Sequence, residues 1–477
     1  MVFSSPIFLF VFLPIVLGIY LVVSPKLKNL FLLLASLFFY AWGEPKFVLL
    51  MLVSILFNYI FGMLIERCAD NRRMAKISIF IGIALNIAFL VFYKYMNFLV
   101  DNLNQILSFI GFEPIYMEPI ALPIGISFFT FQAISYLVDV YKRQVEAQKN
   151  PISLALFISL FPQLLAGPIV RYSQIASQIK HRLVTIGDFH NGIRRFIIGL
   201  GKKVLIANPM GKVADEIFAL SNGDLGTGLA WLGIVCYALQ IYYDFSGYSD
   251  MAIGLGRMFG FKFPENFNFP YISKSIKEFW RRWHITLSSW FRDYVYIPLG
   301  GNRAGKFKTY RNLIIVFVIT GFWHGAGWNF LIWGLIHGLF MLIERGGFSK
   351  ALERMWTPFQ HLYTLLIVLV SWVFFRAETL NQSLDYLGAM FYPFRETSNL
   401  YNVFYFLDNE VLLLLLIGIA GATPVSKKIA EMVNNATSRS RLRKFGFETV
   451  SLVFLVLVLF FSIMSLASST YNPFIYF

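Results

Sequence analysis

Charge is scarce in this chain: 14% of its 477 residues are Asp, Glu, Lys or Arg, while 57% are hydrophobic. So few polar groups cannot cover a globule of this length, which excludes a soluble fold. Cysteine is scarcer still, with Cys68 beside a basic loop and Cys236 inside an apolar run. Two such thiols make neither a disulfide framework nor a metal-ligand cluster, so no metal site is expected. The signatures of soluble catalysts are missing too: there is no GxSxG elbow, no GxxxxGK[ST] loop, no HExxH and no HxxxxD pair. Any chemistry must come from another arrangement.

What the chain does have is apolar length. Runs such as FLFVFLPIVLGIYLVV, FVLLMLVSILFNYIFGMLI and LVFLVLVLFFSIM are each about long enough to cross a hydrocarbon core. The first lacks a basic leader and carries Pro6 and Pro14, and is read as a retained span. The net charge of +15 is gathered in short segments between apolar runs, so it reads as topology signal and headgroup contact, with no nucleic-acid partner expected. With those basic segments on the cytoplasmic side, spans are expected near 5–24, 28–43, 46–65, 77–94, 119–140, 203–221, 226–246, 312–328, 330–343, 358–376, 408–425 and 447–468. Both termini then fall outside. No internal repeat or soluble domain is visible, so residues 1–477 read as one integral domain, with 447–477 a final span and an outer tail. Two pieces fit no simple span. Residues 151–170 are apolar but flanked by basic segments, and 264–300 alternate aromatic with basic residues. The first is expected to enter and return on the cytoplasmic face and the second to form a re-entrant or interfacial helical layer, since irregular backbone is tolerated at depth only where it is buried or lines a cavity.

The chemistry-bearing residues gather between Pro264 and His337. His324 lies in GFWHGAGWNF on an otherwise apolar segment, where a neutral imidazole can take and return a proton. A structural histidine bonded to a neighbouring helix is an equally weighted reading. Gly321, Gly325 and Gly327 are expected to let substrate approach the backbone, and Trp323 and Trp328, with Asn329, to wall a tunnel. His337 in WGLIHG is the weaker tunnel candidate. His284 follows EFWRRW, so Trp280, Arg281, Arg282 and Trp283 precede it and Arg292 follows; these would form a lip for a phosphate-bearing donor, or else set helix depth at the interface. Asp244 and Arg171 read as pairing residues, and His181, His190 and His361 as loop residues.

The series MVFSSPIFLFVFLP, FFYAWGEP, LPIGISFFTFQAISYLVDVY, FPQLLAGPIVRY, GLGKKVLIAN, DFSGYSDMAIGLGRMFGF, EFWRRWHITLSSWFRDYVYIPLGGNR and GFWHGAGWNFLIWGLIHG resembles the membrane-bound O-acyltransferase superfamily nearly end to end. Its bacterial polysaccharide-acylating and D-alanylating branch is the nearest likeness. The resemblance implies an all-α polytopic membrane protein: a ring of about 11–12 transmembrane helices plus re-entrant helices around a central funnel. It also implies that His324 in FWHG and His284 in RWH are catalytic. The FIYF ending is similar to the tail of a small accessory protein of the D-alanylation system, which makes Tyr476 a candidate acyl relay. The implied activity is O-acetylation of an extracytoplasmic polysaccharide from a cytoplasmic donor, with acetyl-CoA as substrate and no permanent cofactor. The implied location is the bacterial cytoplasmic membrane, with an SGNH-type partner outside. D-alanyl transfer from a carrier protein to teichoic acid is the alternative within the family. A transporter or polysaccharide-export channel is the alternative class.

Overall fold

In a computed structural model of the protein, every regular element among the described residues is helical. The structure describes residues 1–303, 305–392, 400–437, 441–468 and 470–473, excluding the side chains of 426, 430, 434–437 and 441–444. Five helices are long and apolar enough to cross a bilayer: Pro45–Arg67, Arg72–Phe109, Trp328–Arg354, Thr357–Arg376 and Phe445–Ser468. Four shorter apolar ones, Phe8–Val22, Lys28–Gly43, Ile126–Tyr141 and Asn409–Gly421, join them. Large apolar side chains such as Phe38, Leu56 and Phe460 stay exposed along these helices, as lipid-facing positions do. The protein is an all-α, multi-pass membrane protein. The remaining expected spans are helical as well, but the one near 226–246 runs on to Met258. His190 and His361, read as loop residues, lie on helices.

The chain groups into two compact units, Met1–Ile193 with Ala252–Pro264, and Arg194–Met251 with Glu265–Tyr476. The first unit is built from α1 (Leu13–Val22), α2 (Lys28–Gly43), α3 (Val48–Arg67), α4 (Arg72–Leu90), α5 (Met96–Phe109), α6 (Ile126–Tyr141), α7 (Pro151–Ser159), α8 (Phe161–Leu164) and α9 (Tyr172–Lys180). Asn58 on α3 and Asn86 on α4 exchange amide hydrogen bonds of 2.9 and 3.2 Å, so two buried polar side chains satisfy each other. Such pairs are the polar glue of membrane helices. Gly62 lets α3 approach α6, since a Cβ there would sit 2.4 Å from the Tyr136 hydroxyl. The apolar 151–170 piece is broken at Leu160 into α7 and α8, and its nine-residue α7 is about 14 Å long, too short to cross.

The second unit takes up the end of α10 (Ile186–Gly201) and most of α12 (Thr227–Met258), with α11 (Asn208–Phe218) between them. A wide π turn, Lys202–Ala207, joins α10 to α11. Gly199 and Gly247 make α10 and α12 cross at backbone contact, because a Cβ on Gly199 would lie 2.5 Å from the Gly247 carbonyl. Beyond come α13 (Ile276–Arg282), α14 (Ile285–Phe291), α15 (Lys306–His324), α16 (Trp328–Ile343), α17 (Ser349–Arg354), α18 (Thr357–Arg376), α19 (Leu380–Phe391), α20 (Val403–Phe406), α21 (Asn409–Gly421), α22 (Val425–Thr437) and α23 (Arg441–Ser468). α13 and α14 have seven residues each and, like α7, cannot span. Glu344 fixes α13 by accepting the Ile276 and Lys277 amides at 2.6 and 3.0 Å, which satisfies orphan donors of its first turn.

α15 and α16 form a tight hairpin. A Cβ on Gly334 would meet the Phe317 carbonyl at 2.3 Å, and one on Gly321 the Phe330 carbonyl at 2.5 Å. Gly334→Val should therefore lower thermal stability in detergent by about 1–3 kcal/mol through overpacking. Gly346→Ala, whose Cβ meets nothing within 4 Å, should leave it unchanged. Equal melting temperatures for the two variants would contradict this account of the hairpin.

Candidate active site

The short hairpin places His324 as the last residue of α15, with Gly325 at the helix end. Its ring is boxed by aromatic edges: Trp323 and Trp333 each lie 4.8 Å away, and Phe375 lies 5.1 Å away. A positive charge formed on this ring would sit at the carbonyl end of a helix, where cations are favoured. The glycines around it serve packing: a Cβ on Gly325 would strike the Phe330 ring at 2.2 Å, and one on Gly327 the Asn329 side chain at 2.5 Å. Neighbouring protein, not substrate, occupies the space expected to be open at Gly321, Gly325 and Gly327.

His284 is the turn between α13 and α14, fully buried, in a left-handed conformation with φ of 42°. That region is costly for a residue with a Cβ and persists only where the surroundings enforce it. Asn266 does the enforcing. Its Oδ1 accepts from Thr286 N at 3.2 Å and Thr286 Oγ1 at 2.9 Å, and lies 3.1 Å from His284 Nδ1. Its own carbonyl takes the Ile285 amide at 2.9 Å, and its amide nitrogen reaches Ser249 Oγ at 3.2 Å. Since that Oδ1 can only accept, His284 carries its proton on Nδ1. Nε2 is then a bare lone pair, buried and without a hydrogen-bond partner among the described residues. Phe245 lies 4.6 Å from this ring and Trp323 6.0 Å, so Trp323 touches both His284 and His324.

His337 joins the same cluster through Trp333, 5.2 Å from it. It is fully buried, with Nε2 3.0 Å from Ser371 Oγ, which itself donates to Val368 O at 2.8 Å. Ser371 has spent its one proton, so His337 donates from Nε2 and serves as a packed structural group. Trp280 and Trp283 also lie in this aromatic core, Trp280 5.2 Å from His337 and Trp283 5.0 Å from Trp372. Asn329 is buried and ties α16 to Ala377 O at 2.7 Å, whereas Trp328 is half exposed.

The three arginines of the expected donor lip are placed differently from one another. Arg281 is exposed, while Arg282 bonds Glu278 at 2.8 Å and the Asn268 carbonyl at 3.1 Å. Arg292 pairs with Asp293 at 2.6 Å. Asp244 is a pairing residue, 2.8 Å from Lys203, with both side chains buried. Tyr476 lies outside the described residues. Asn266 and Phe245 escaped sequence reading; Asn266 stands 18 residues before the histidine it holds, and only its position in the NFNFPY run hinted at a turn.

His284 and His337 are fully buried and His324 partly so, within a multi-pass helical membrane protein. The chain belongs to the MBOAT, membrane-bound O-acyltransferase family, which it matches over residues 142–377, and it is an O-acyltransferase. It is 48% identical over 391 residues, 82% of this chain and 75% of the relative, to a protein of Pseudomonas aeruginosa named probable alginate O-acetylase AlgI. A Pseudomonas putida protein of the same name is 43% identical over 488 residues, covering 100% of both chains. The peptidoglycan O-acetyltransferase of Helicobacter pylori is 40% identical over 430 residues, 82% of this chain and 80% of its own.

The clamp on His284 has a measurable cost. Asn266→Ala would strand several buried donors and should destabilise the protein by about 1–3 kcal/mol in detergent melts. Asn266→Asp keeps the acceptor and should lose less. If the alanine variant melts like wild type, the turn is held by something else.

Proposed function

We propose that this protein moves an acetyl group from a cytoplasmic thioester donor, acetyl-CoA, across the cell membrane for O-acetylation of a polysaccharide on the outer side. The observation that carries the reading is His324, set at a helix end among Trp323, Trp333 and Phe375 and linked by Trp323 to His284. The names of the relatives support an acetyl group and a polymer acceptor, since they act on alginate and on peptidoglycan. The gathering of positive charge into short segments between apolar runs supports donor entry from the cytoplasm and outward-facing termini.

In this mechanism His324 takes the proton of the accepting hydroxyl as its oxygen attacks the thioester carbonyl. The C–S bond breaks, the thiolate leaves, and the imidazolium returns the proton to sulfur. The bare Nε2 of His284 helps hold the donor or shares in that proton transfer, with Arg281 and Arg282 near the donor's phosphates and Arg292 further along the lip. The first acceptor is the phenol of Tyr476, whose aryl ester then passes the acetyl group to a hydroxyl of an SGNH-type partner outside. An aryl ester is a good donor because a phenol leaves readily.

His324→Ala should lower thiol release from acetyl-CoA by roughly a hundred- to ten-thousandfold in normally expressed protein, the usual worth of a general base. Near-normal release would refute the assignment, and release only from a carrier-bound aminoacyl donor would replace acetyl transfer by D-alanyl transfer. His284→Ala and Arg282→Ala should raise the donor KM. A fall in kcat alone would put His284 in the chemical step. Tyr476→Phe keeps the aromatic ring and removes the hydroxyl, so undiminished polymer acetylation would make that residue an anchor.

A further inference from the structure

The segment Tyr471–Pro473, just past α23, is held by side chains of α11 and of the π turn before it. The Tyr471 hydroxyl donates to Asp215 Oδ2 at 2.5 Å, and Arg376 Nη2 occupies the other oxygen of that carboxylate at 2.6 Å. Asn208 Nδ2 lies 3.3 Å from both Tyr471 O and Asn472 Oδ1. Lys203, ion-paired with Asp244, also donates from Nζ to the Pro473 carbonyl. Gly211 leaves room for the phenol, since a Cβ there would already lie 3.0 Å from its oxygen and 2.5 Å from the Gln240 amide.

A simple interfacial anchor needs none of this. An aromatic ring at the headgroup level suffices to fix a helix end. Here three polar side chains, one from a buried ion pair, are directed at one phenol and at backbone and amide groups of three successive residues. Burying a charged pair is expensive unless further hydrogen bonds complete its shell, and the Pro473 carbonyl supplies one for Lys203. The grip also adjoins the histidines within the same unit. Asp244 is followed by Phe245, whose ring lies 4.6 Å from His284.

We infer that Asp215, Asn208 and Lys203 form a clamp that positions the chain following Tyr471, and so presents Tyr476 to the histidine site. The purpose given to the clamp rests on the relay reading of Tyr476; its existence does not. Asp215, Asn208 and Lys203 are positioning residues: they exchange no atoms with donor or acceptor.

The test uses full-length enzyme in lipid nanodiscs, with Cys68→Ser and Cys236→Ala removing the native thiols and the exposed Thr470→Cys as reporter. A membrane-impermeant maleimide should label the reporter about tenfold faster when Asp215→Asn or Tyr471→Phe is added. In the native-tail enzyme the same two substitutions should each slow acetylation of Tyr476, read by mass spectrometry, about tenfold with the donor KM unchanged. The double variant should be no slower than either single, because both remove one contact. Tyr471→Phe keeps the ring, so it reports even if Asp215→Asn, which also faces Arg376, folds poorly. Unchanged labelling in both variants, or additive losses in the double, would overturn the clamp. Faster labelling together with full activity of Tyr476→Phe would keep the clamp and discard the relay.

Discussion

The backbone contact between α15 and α16 is the constraint on which the histidine cluster depends. Gly321 and Gly334 allow the helices to touch, and that approach sets Trp333 between His324 and His337. A side chain at either position would wedge the pair apart and dissolve the aromatic box. Within lipid there is little hydrophobic drive to bring two helices together, so van der Waals contact of this kind must hold them. The box then protects the imidazole from lipid and water alike. Geometry at the site follows from the absence of two β-carbons.

Polar groups are placed with the same economy. Asn58 and Asn86 satisfy one another, Glu344 closes the start of α13, and Asn266 ties together a turn that the backbone would not otherwise adopt. Each solves a local problem of unsatisfied donors in a medium that offers no water. His284 keeps its second nitrogen turned to no protein acceptor or donor among the described residues. With Nδ1 committed to Asn266, the Nε2 lone pair stays available, which suits a group that meets a ligand.

Much of this was legible in the sequence. Apolar runs and their basic borders read directly as spans, and the odd flanks of 151–170 and 264–300 marked the two pieces that fold as short broken helices. The motifs around His284 and His324 marked the residues that the fold brings together through Trp323. Partners distant in sequence were the illegible part. The glycines beside His324 read as room for substrate because Phe330 and Asn329 could not be seen against them. Arg282 read as a phosphate ligand because its local carboxylate, Glu278 one turn earlier, counts as an i,i+4 pair only once the helix is known. Tyr471 and Asp215 are 256 residues apart, and no local pattern links them.

The π turn at Lys202–Ala207 carries a consequence for how this protein can change length. Such a turn is in effect one residue inserted into an α-helix. Removing it would restore a regular helix and rotate everything after it by about 100° relative to what comes before. Lys203 could then no longer face the same way as Asn208 and Asp215, and the ion pair with Asp244 and the hydroxyl bond from Tyr471 could not be made together. Loops elsewhere tolerate insertions and deletions; this stretch holds its reading frame of faces, and a single codon lost here would act at a distance from the histidines yet in step with them.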